Sequence, residues 1–327
     1  MFLRLATYNI HACIGVDGRF DPQRTATVLK ELGADLIALQ EVEHHTVGDR
    51  DLLDYLAAEV GMEAIAGPTL LRGDRHYGNA LLTRLPVQRI HRIDLSLPRR
   101  EPRGALDVRF AWNGWRVQVV ATHLGLRPGE RRAQIRRILE LFGGSGVDVA
   151  VLLGDLNEWQ LWGRPLRWLR GRFPGSRRGA PRTYPARLPL FALDRVWVAP
   201  PGVLIGLQAH ETLLARRASD HLPLMALLRL PAVPAESRRR LRPAGARRSR
   251  GRERRRPESG FAKAPTHLPG GRSLCVRESP PVPEQLSLPL SLALFALAAA
   301  IILSFGLAGS LVLAFYLGGF RLLMTVA

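Results

Sequence analysis

The chain has 327 residues, 46% of them hydrophobic, which is enough to bury a substantial core and too apolar for disorder over most of its length. Its two cysteines, Cys13 and Cys275, lie far apart in unlike surroundings, which argues against a disulfide framework. The net charge of +19 points toward nucleic acid only until its distribution is read: residues 1–230 hold 32 basic and 23 acidic side chains, residues 231–284 hold 14 and 5, and Arg321 is the one charge beyond. Only Lys30 and Lys263 are lysines; so strong a preference for arginine reflects coding composition more readily than a binding surface, and charge alone speaks only to non-specific attraction.

The N-terminus enters a strand pattern at Leu3-Arg4-Leu5-Ala6-Thr7 without a basic and then apolar leader, so the N-terminal region is expected in a reducing, cytosolic space. A helix is predicted over Asp21 to Leu32, with Pro22 suited to its first turn and Gly33 closing it. Residues 35–40 are apolar enough for a buried strand, and a second helix fits Arg50 to Val60, again followed by a glycine, Gly61. Strands recur at 78–84, 105–112, 115–122 and 147–153, with a helix over 128–142 among them. Shorter strand patterns stand at 193–198 and 222–230. So many buried strands alternating with helices predict an α/β domain over residues 1–230, built as two sheets face to face with helices outside.

Beyond that domain the composition changes. Residues 231–284 are dominated by Arg, Pro, Gly and Ser, and Arg238–Arg256 alone holds eleven arginines, so this stretch reads as a disordered linker. Residues 285–320 carry no charge, and Leu290–Tyr316 spans 27 residues where a membrane helix needs roughly 20. The expectation is a single-pass membrane segment, with a hairpin of two short helices around Gly306 and Gly309 as its variant. Arginines on its N-terminal side would keep the α/β domain cytoplasmic. Read instead as an out-of-frame extension, the same residues leave a cytoplasmic protein.

Residues suited to phosphate-ester chemistry sit at the ends of the predicted strands: Asn9, Glu41, His123, Asp155, Asn157, Asp194, Asp220 and His221. Such chemistry needs carboxylates to hold a hard cation, amides to orient, and histidine to stabilise developing charge. Singly, each has an ordinary reading. Glu41 could be a solvated strand end, His123 a core histidine, and Gly154-Asp155-Leu156-Asn157 a turn. In order they form a series: Thr7-Tyr8-Asn9, Gln40-Glu41, Gly78-Asn79-Ala80, Thr122-His123-Leu124, Gly154-Asp155-Leu156-Asn157, Leu193-Asp194-Arg195 and Ser219-Asp220-His221.

This series resembles the motif set of the endonuclease/exonuclease/phosphatase superfamily, over about 70% of the chain. The resemblance implies a four-layer α/β sandwich of two packed mixed sheets, with the site at one sheet edge and Mg²⁺ as cofactor, Mn²⁺ being a substitute. It further implies Glu41 as principal metal ligand with Asn9 beside it, and Asp220 as an accessory metal or water ligand. Asp155 would orient or deprotonate the attacking water, while Asn157 and His123 contact the phosphate. His221 would face the scissile phosphate, with Asp194 fixing its tautomer and favouring its charged form. Arg75 and Asn79 stand where the family places substrate-side contacts, with contact and structural roles equally weighted. The donor set, rich in oxygen and without a Cys–His cluster, suits magnesium or manganese better than structural zinc. His11, His44, His45, His91 and His210 match no motif.

For substrate, the segment Gly78–Arg84 looks like the phosphodiesterase and sphingomyelinase side of the superfamily. A membrane tail then favours a phospholipid or its headgroup, with DNA or RNA as the second choice and no obligate protein partner. The intact residue set argues against a pseudoenzyme.

Overall fold

The computed structural model describes residues 1–231, except 44, 73–74, 145 and 177–178. The expected linker and membrane segment lie outside the described residues, among which no helix is long and apolar enough to cross a membrane.

Strand β1 (Phe2–Asn9) runs through a 3-10 turn at His11–Cys13 to α1 (Pro22–Leu32). Asp21 caps α1 by accepting the Arg24 N–H, Pro22 occupies a first-turn position that needs no donor, and Gly33 ends it at φ +53°. After β2 (Leu36–Glu43) come two short strands, β3 (Thr46–Val47) and β4 (Arg50–Asp51), and then α2 (Leu52–Val60). The second helix therefore begins two residues later than its sequence pattern indicates, because Asp51 is spent as its cap, accepting the Leu53 N–H. Next are β5 (Glu63–Arg72), β6 (Arg75–Thr83), β7 (Val87–Asp94), β8 (Gly104–Trp112) and β9 (Trp115–His123). The chain continues as α3 (Pro128–Glu140), β10 (Val149–Asp155), α4 (Arg164–Arg172), β11 (Asp194–Ala199), β12 (Leu204–Ala209), α5 (Ala215–Ala218) and β13 (Leu224–Arg229).

β3 and β4 pair as a small antiparallel hairpin, and the other strands form two mixed sheets. One has the order β12-β13-β1-β2-β6-β5, the other β11-β10-β9-β8-β7. Within them β1–β2 and β9–β10 are parallel and the remaining neighbours antiparallel. Apolar side chains segregate into three cores. Leu5, Leu36, Leu81, Val119, Val151 and Val196 are among those filling the space between the sheets. Tyr8, Ile37 and Leu39 pack with Leu29 and Leu56 of α1 and α2 on one outer face. Val120, Leu152 and Trp197 pack with Ile135 and Leu169 of α3 and α4 on the other. Alternate residues of one strand thus serve different layers, as the two-residue strand period requires.

Registry sets the site. Asn9 lies opposite Gln40, Asp155 lies between His123 and Asp194, and Thr7 faces Leu224 just past His221. These positions fall at one edge of the paired sheets, so six segments distant in sequence deliver their polar ends to one place.

Candidate active site

Asp155 is the hub. Its Oδ1 accepts the backbone N–H of Asn157 at 2.8 Å, a tight Asx turn that puts Asn157 at φ +50°. Its Oδ2 accepts Asn9 Nδ2–H at 3.3 Å and lies 3.4 Å from His123 Nε2 and 3.7 Å from His221 Nε2. The turn depends on Gly154, whose φ is +142° and whose missing Cβ would lie 1.8 Å from Thr122 O. Burial is the main reason the Asp155 carboxyl is pushed up to about 6; His221 opposes that, and Asp194 and Glu41 add to it.

Glu41 reaches the cluster by a distortion of β2. The β2–β6 register slips between Leu39 and Val42, and Glu41 sits in the bulge at φ +55°. A non-glycine residue there is strained, and such strain concentrates where a side chain must be re-aimed. The Glu41 carboxylate accepts Asn9 Nδ2–H at 3.0 Å, and burial together with the Glu41 charge pushes the Tyr77 phenol above its ordinary range. Asn9 itself is fixed because its Oδ1 accepts the His11 N–H at 3.1 Å. Its amide nitrogen, and not its oxygen, therefore faces the two carboxylates. In this arrangement the Asn9 Nδ2–H positions Glu41 and Asp155, while its Oδ1 keeps a second lone pair beyond the one that accepts His11 N–H.

His221 and Asp194 pair at 2.9 Å, with Nδ1–H donating to Oδ2. The same oxygen accepts the Thr183 hydroxyl at 2.6 Å, and Tyr184 stacks on the imidazole with ring centroids 4.7 Å apart. Burial works against a charge on His221, but Asp194, Asp155 and Asp220 outweigh it and hold its pKa well above the ordinary value. Asp220 is half-buried beside the Ser219 hydroxyl, 3.3 Å away, on the flank of the cluster.

His123 has the opposite character. Arg103 Nη1–H can only donate, so His123 Nδ1, 3.1 Å away, is an acceptor and the ring carries its proton on Nε2, toward Asp155. Burial, Arg103 and His221 keep it neutral, with a pKa well below the ordinary value. Asn157 Nδ2 lies 3.1 Å from that protonated nitrogen and donates instead to Leu124 O at 2.9 Å.

Of the expected site residues, the structure thus brings together Glu41, Asn9, His123, Asp155, Asn157, Asp194 and His221, with Asp220 at the flank. Asn79 is different: it is buried, and its Nδ2 donates to Gly104 O at 2.9 Å, tying β6 of one sheet to β8 of the other. That bond gives Asn79 a structural task. Arg75 opens β6, paired through its backbone with Arg72, and its side chain lies outside the described residues. Three contributors carry little signal in sequence. Arg103, Tyr77 and Thr183 stand in segments whose pattern is that of ordinary loops or strand ends, and only the fold shows what they touch.

The donor set can be tested against a divalent ion. Carboxylates of Asp194 and Glu41 add to burial in raising the Asp155 pKa, and Asp220 acts on the adjacent His221. No three His, Cys, Asp or Glu side chains among the described residues converge as a closed ligand cage. That combination fits a hard cation held by one or two carboxylates and completed by water and substrate oxygens, and it does not fit a structural metal.

This buried polar cluster at the edge of two packed sheets defines a hydrolase that works on phosphate esters. The family model of the Endonuclease/Exonuclease/phosphatase family matches residues 6–221, and the chain belongs to that family. Its members are metal-dependent phosphoester hydrolases, and so is this enzyme. The chain is 30% identical to the uncharacterized protein YbhP of Escherichia coli K12, the match covering 69% of this chain and 96% of that protein, and matches YbhP of Shigella flexneri to the same extent. Among solved structures, a family protein from Bacteroides vulgatus superposes with TM-score 0.59 at 19% identity, over 71% of this chain and all of that one. One from Beutenbergia cavernae gives 0.57 at 23%, over 70% and 72%. D. rerio TDP2, in complex with a single-strand DNA product, gives 0.53 at 16%, over 70% and 99%. These likenesses show the fold.

Proposed function

We propose that the enzyme is a Mg²⁺-dependent phosphodiesterase acting on a phospholipid or its headgroup at a membrane surface. The observation that carries the catalytic reading is the arrangement around Asp155, where a carboxylate of raised pKa, a charged His221 and a neutral His123 converge on one oxygen. Asp155 is the base: its carboxylate accepts a proton from the attacking water, a task matched by a pKa of about 6. His221, oriented by Asp194 and Thr183, supplies positive charge where phosphoryl oxygens gain negative charge. His123 and Asn157 line the same side and offer polar groups to the phosphate. Glu41, with Asn9 beside it and Asp220 through water, would hold Mg²⁺ or Mn²⁺, which when bound neutralises phosphoryl charge and assists the leaving oxygen.

The membrane part of the proposal rests on sequence: residues 285–320 are uncharged and follow an arginine-rich stretch that favours a cytoplasmic position for the enzyme. Nucleic acid is the second reading, supported by the single-strand DNA product held by D. rerio TDP2 on the same fold. The full-length protein with Mg²⁺ should be assayed against phospholipid vesicles, single-stranded DNA, abasic DNA and inositol phosphates. Release of phosphorylated headgroup from vesicles is expected. Cleavage of DNA with no lipid turnover would move the assignment to a nuclease.

A further inference from the structure

The loops around Asp155 turn apolar side chains to solvent. Leu126 follows β9, Leu161 and Trp162 follow Asn157, and Leu188 and Leu190 precede Asp194; Leu213 instead follows Thr212, whose hydroxyl bonds Glu31 in the last turn of α1. Each is more than half exposed, Trp162 and Leu188 by 66%. The other exposed large apolar side chains among the described residues do not share this setting: Phe20 leans on His45, and Met1, Phe2 and Ile90 lie away from the site edge.

The same hydrogen bonds that fix the catalytic loops hold these side chains outward. The Leu161 carbonyl accepts Arg170 at 2.6 Å, Gly163 N–H donates to Gln160 O at 2.9 Å, and beneath them Glu158 is buried against Arg131 at 3.1 Å. Across the site, Leu190 N–H donates to Tyr184 O at 2.8 Å and Leu188 N–H to Pro185 O at 3.1 Å, in the turn whose Tyr184 stacks on His221. Exposed Arg127, Arg164 and Arg187 stand next to these residues in sequence, Arg164 as the first residue of α4, and exposed Arg19 stands on the β1–α1 loop. Acids there are engaged with other cations: Asp17 with Arg24 and Arg217, Glu101 with Arg103, Glu130 with Arg100.

We infer that this edge docks onto a bilayer rich in anionic phospholipid, with Leu161, Trp162, Leu188 and Leu190 entering the headgroup–acyl boundary and the arginines resting on lipid phosphates. An apolar set flanked by cations is what an interfacial surface requires. Leucine predominates, and leucine offers no face for stacking bases, which a single-strand nucleic-acid surface needs. The inference deepens the lipid reading above and rests on it for the substrate; the docking itself is measured separately.

The test uses the full-length chain with phosphatidylcholine/phosphatidylglycerol vesicles carrying brominated acyl chains. The emission difference between wild type and Trp162→Phe isolates Trp162 whatever the C-terminal residues do. Trp162 emission should shift to the blue and be quenched, strongly with anionic vesicles and weakly with phosphatidylcholine alone. Arg127→Gln and Arg164→Gln should each lower the docking equilibrium about 5-fold at low salt. Unquenched Trp162 overturns the inference, even if the chain sediments with the vesicles; so does a Trp162 that responds to single-stranded DNA and not to lipid. Lipid turnover with an unquenched Trp162 sinks the docking and leaves the lipid reading standing. Quenching without lipid turnover does the reverse.

Discussion

At the scale of single residues, the site works by giving chemically similar groups opposite states. His221 and His123 both approach Asp155 Oδ2, yet one is bracketed by carboxylates and the other by a guanidinium, so one is charged and the other neutral. His221→Ala should lower turnover roughly 10²–10³-fold, the usual effect of removing one stabiliser of developing anionic charge. Asp194→Asn should lose much of the same effect, and the double variant should be scarcely worse than His221→Ala, because the two act as a unit. Multiplicative losses in kcat would show them to be independent. The same pair has a consequence for stability. The folded-state pKa of His221 is raised above its unfolded value of about 6.5, so its contribution is fully present below that pH and is lost as pH rises through the folded value. In EDTA, the Tm gap between wild type and His221→Asn should therefore be widest below about pH 6.5 and shrink at alkaline pH. A gap that widens with pH would mean that His221 is neutral in the fold.

At the scale of elements, the strand ends were the legible part of the sequence and their partners were not. Asp21, Pro22 and Gly33 announce α1 because capping is local chemistry, and Leu36–Gln40 announces β2 because a buried strand is apolar throughout. β7 left no such trace, being exposed at most positions on the sheet edge, and β5 is interrupted by Gly67 and Pro68. α4 hides in an arginine-rich run whose amphipathic side is only Pro165, Leu166 and Leu169. Glu41, Asp155, Asp194 and His221 were readable as motif residues, while Arg103, Tyr77 and Thr183 were not, because their roles exist only across strands. Asn79 was legible as a motif residue with its role open, and its cross-sheet bond to Gly104 is a structural task that no sequence pattern announces. The Asp155 turn gives a sharp test at this scale. Gly154→Ala adds a Cβ onto the Thr122 carbonyl at a φ that side chains avoid, and should destabilise the fold by at least about 3 kcal/mol in urea unfolding. Gly143→Ala, with nothing within 4 Å of the new Cβ, should stay within about 0.5 kcal/mol. Equal effects at both positions would remove the packing argument for the Gly154 turn.

At the scale of the whole molecule, two sheets supply a rigid edge on which residues as distant as Asn9 and His221 meet, and the loops beyond that edge are free to choose the substrate. The uncharged segment 285–320, joined by an arginine-rich stretch, should carry the full-length protein into the membrane fraction and resist extraction by high salt. Release by salt would reduce the association to electrostatic adsorption, and a soluble protein would remove the span altogether. The catalytic account itself turns on Glu41, the strained carboxylate at the β2 bulge. Hydrolysis of bis(p-nitrophenyl) phosphate by the full-length protein should stop in EDTA and return on titration with Mg²⁺. Glu41→Gln should need far more Mg²⁺ and remain at least roughly 10²-fold slower, with its Tm in EDTA nearly unchanged. A Glu41→Gln enzyme with wild-type rate and wild-type Mg²⁺ dependence would contradict the site described for this protein.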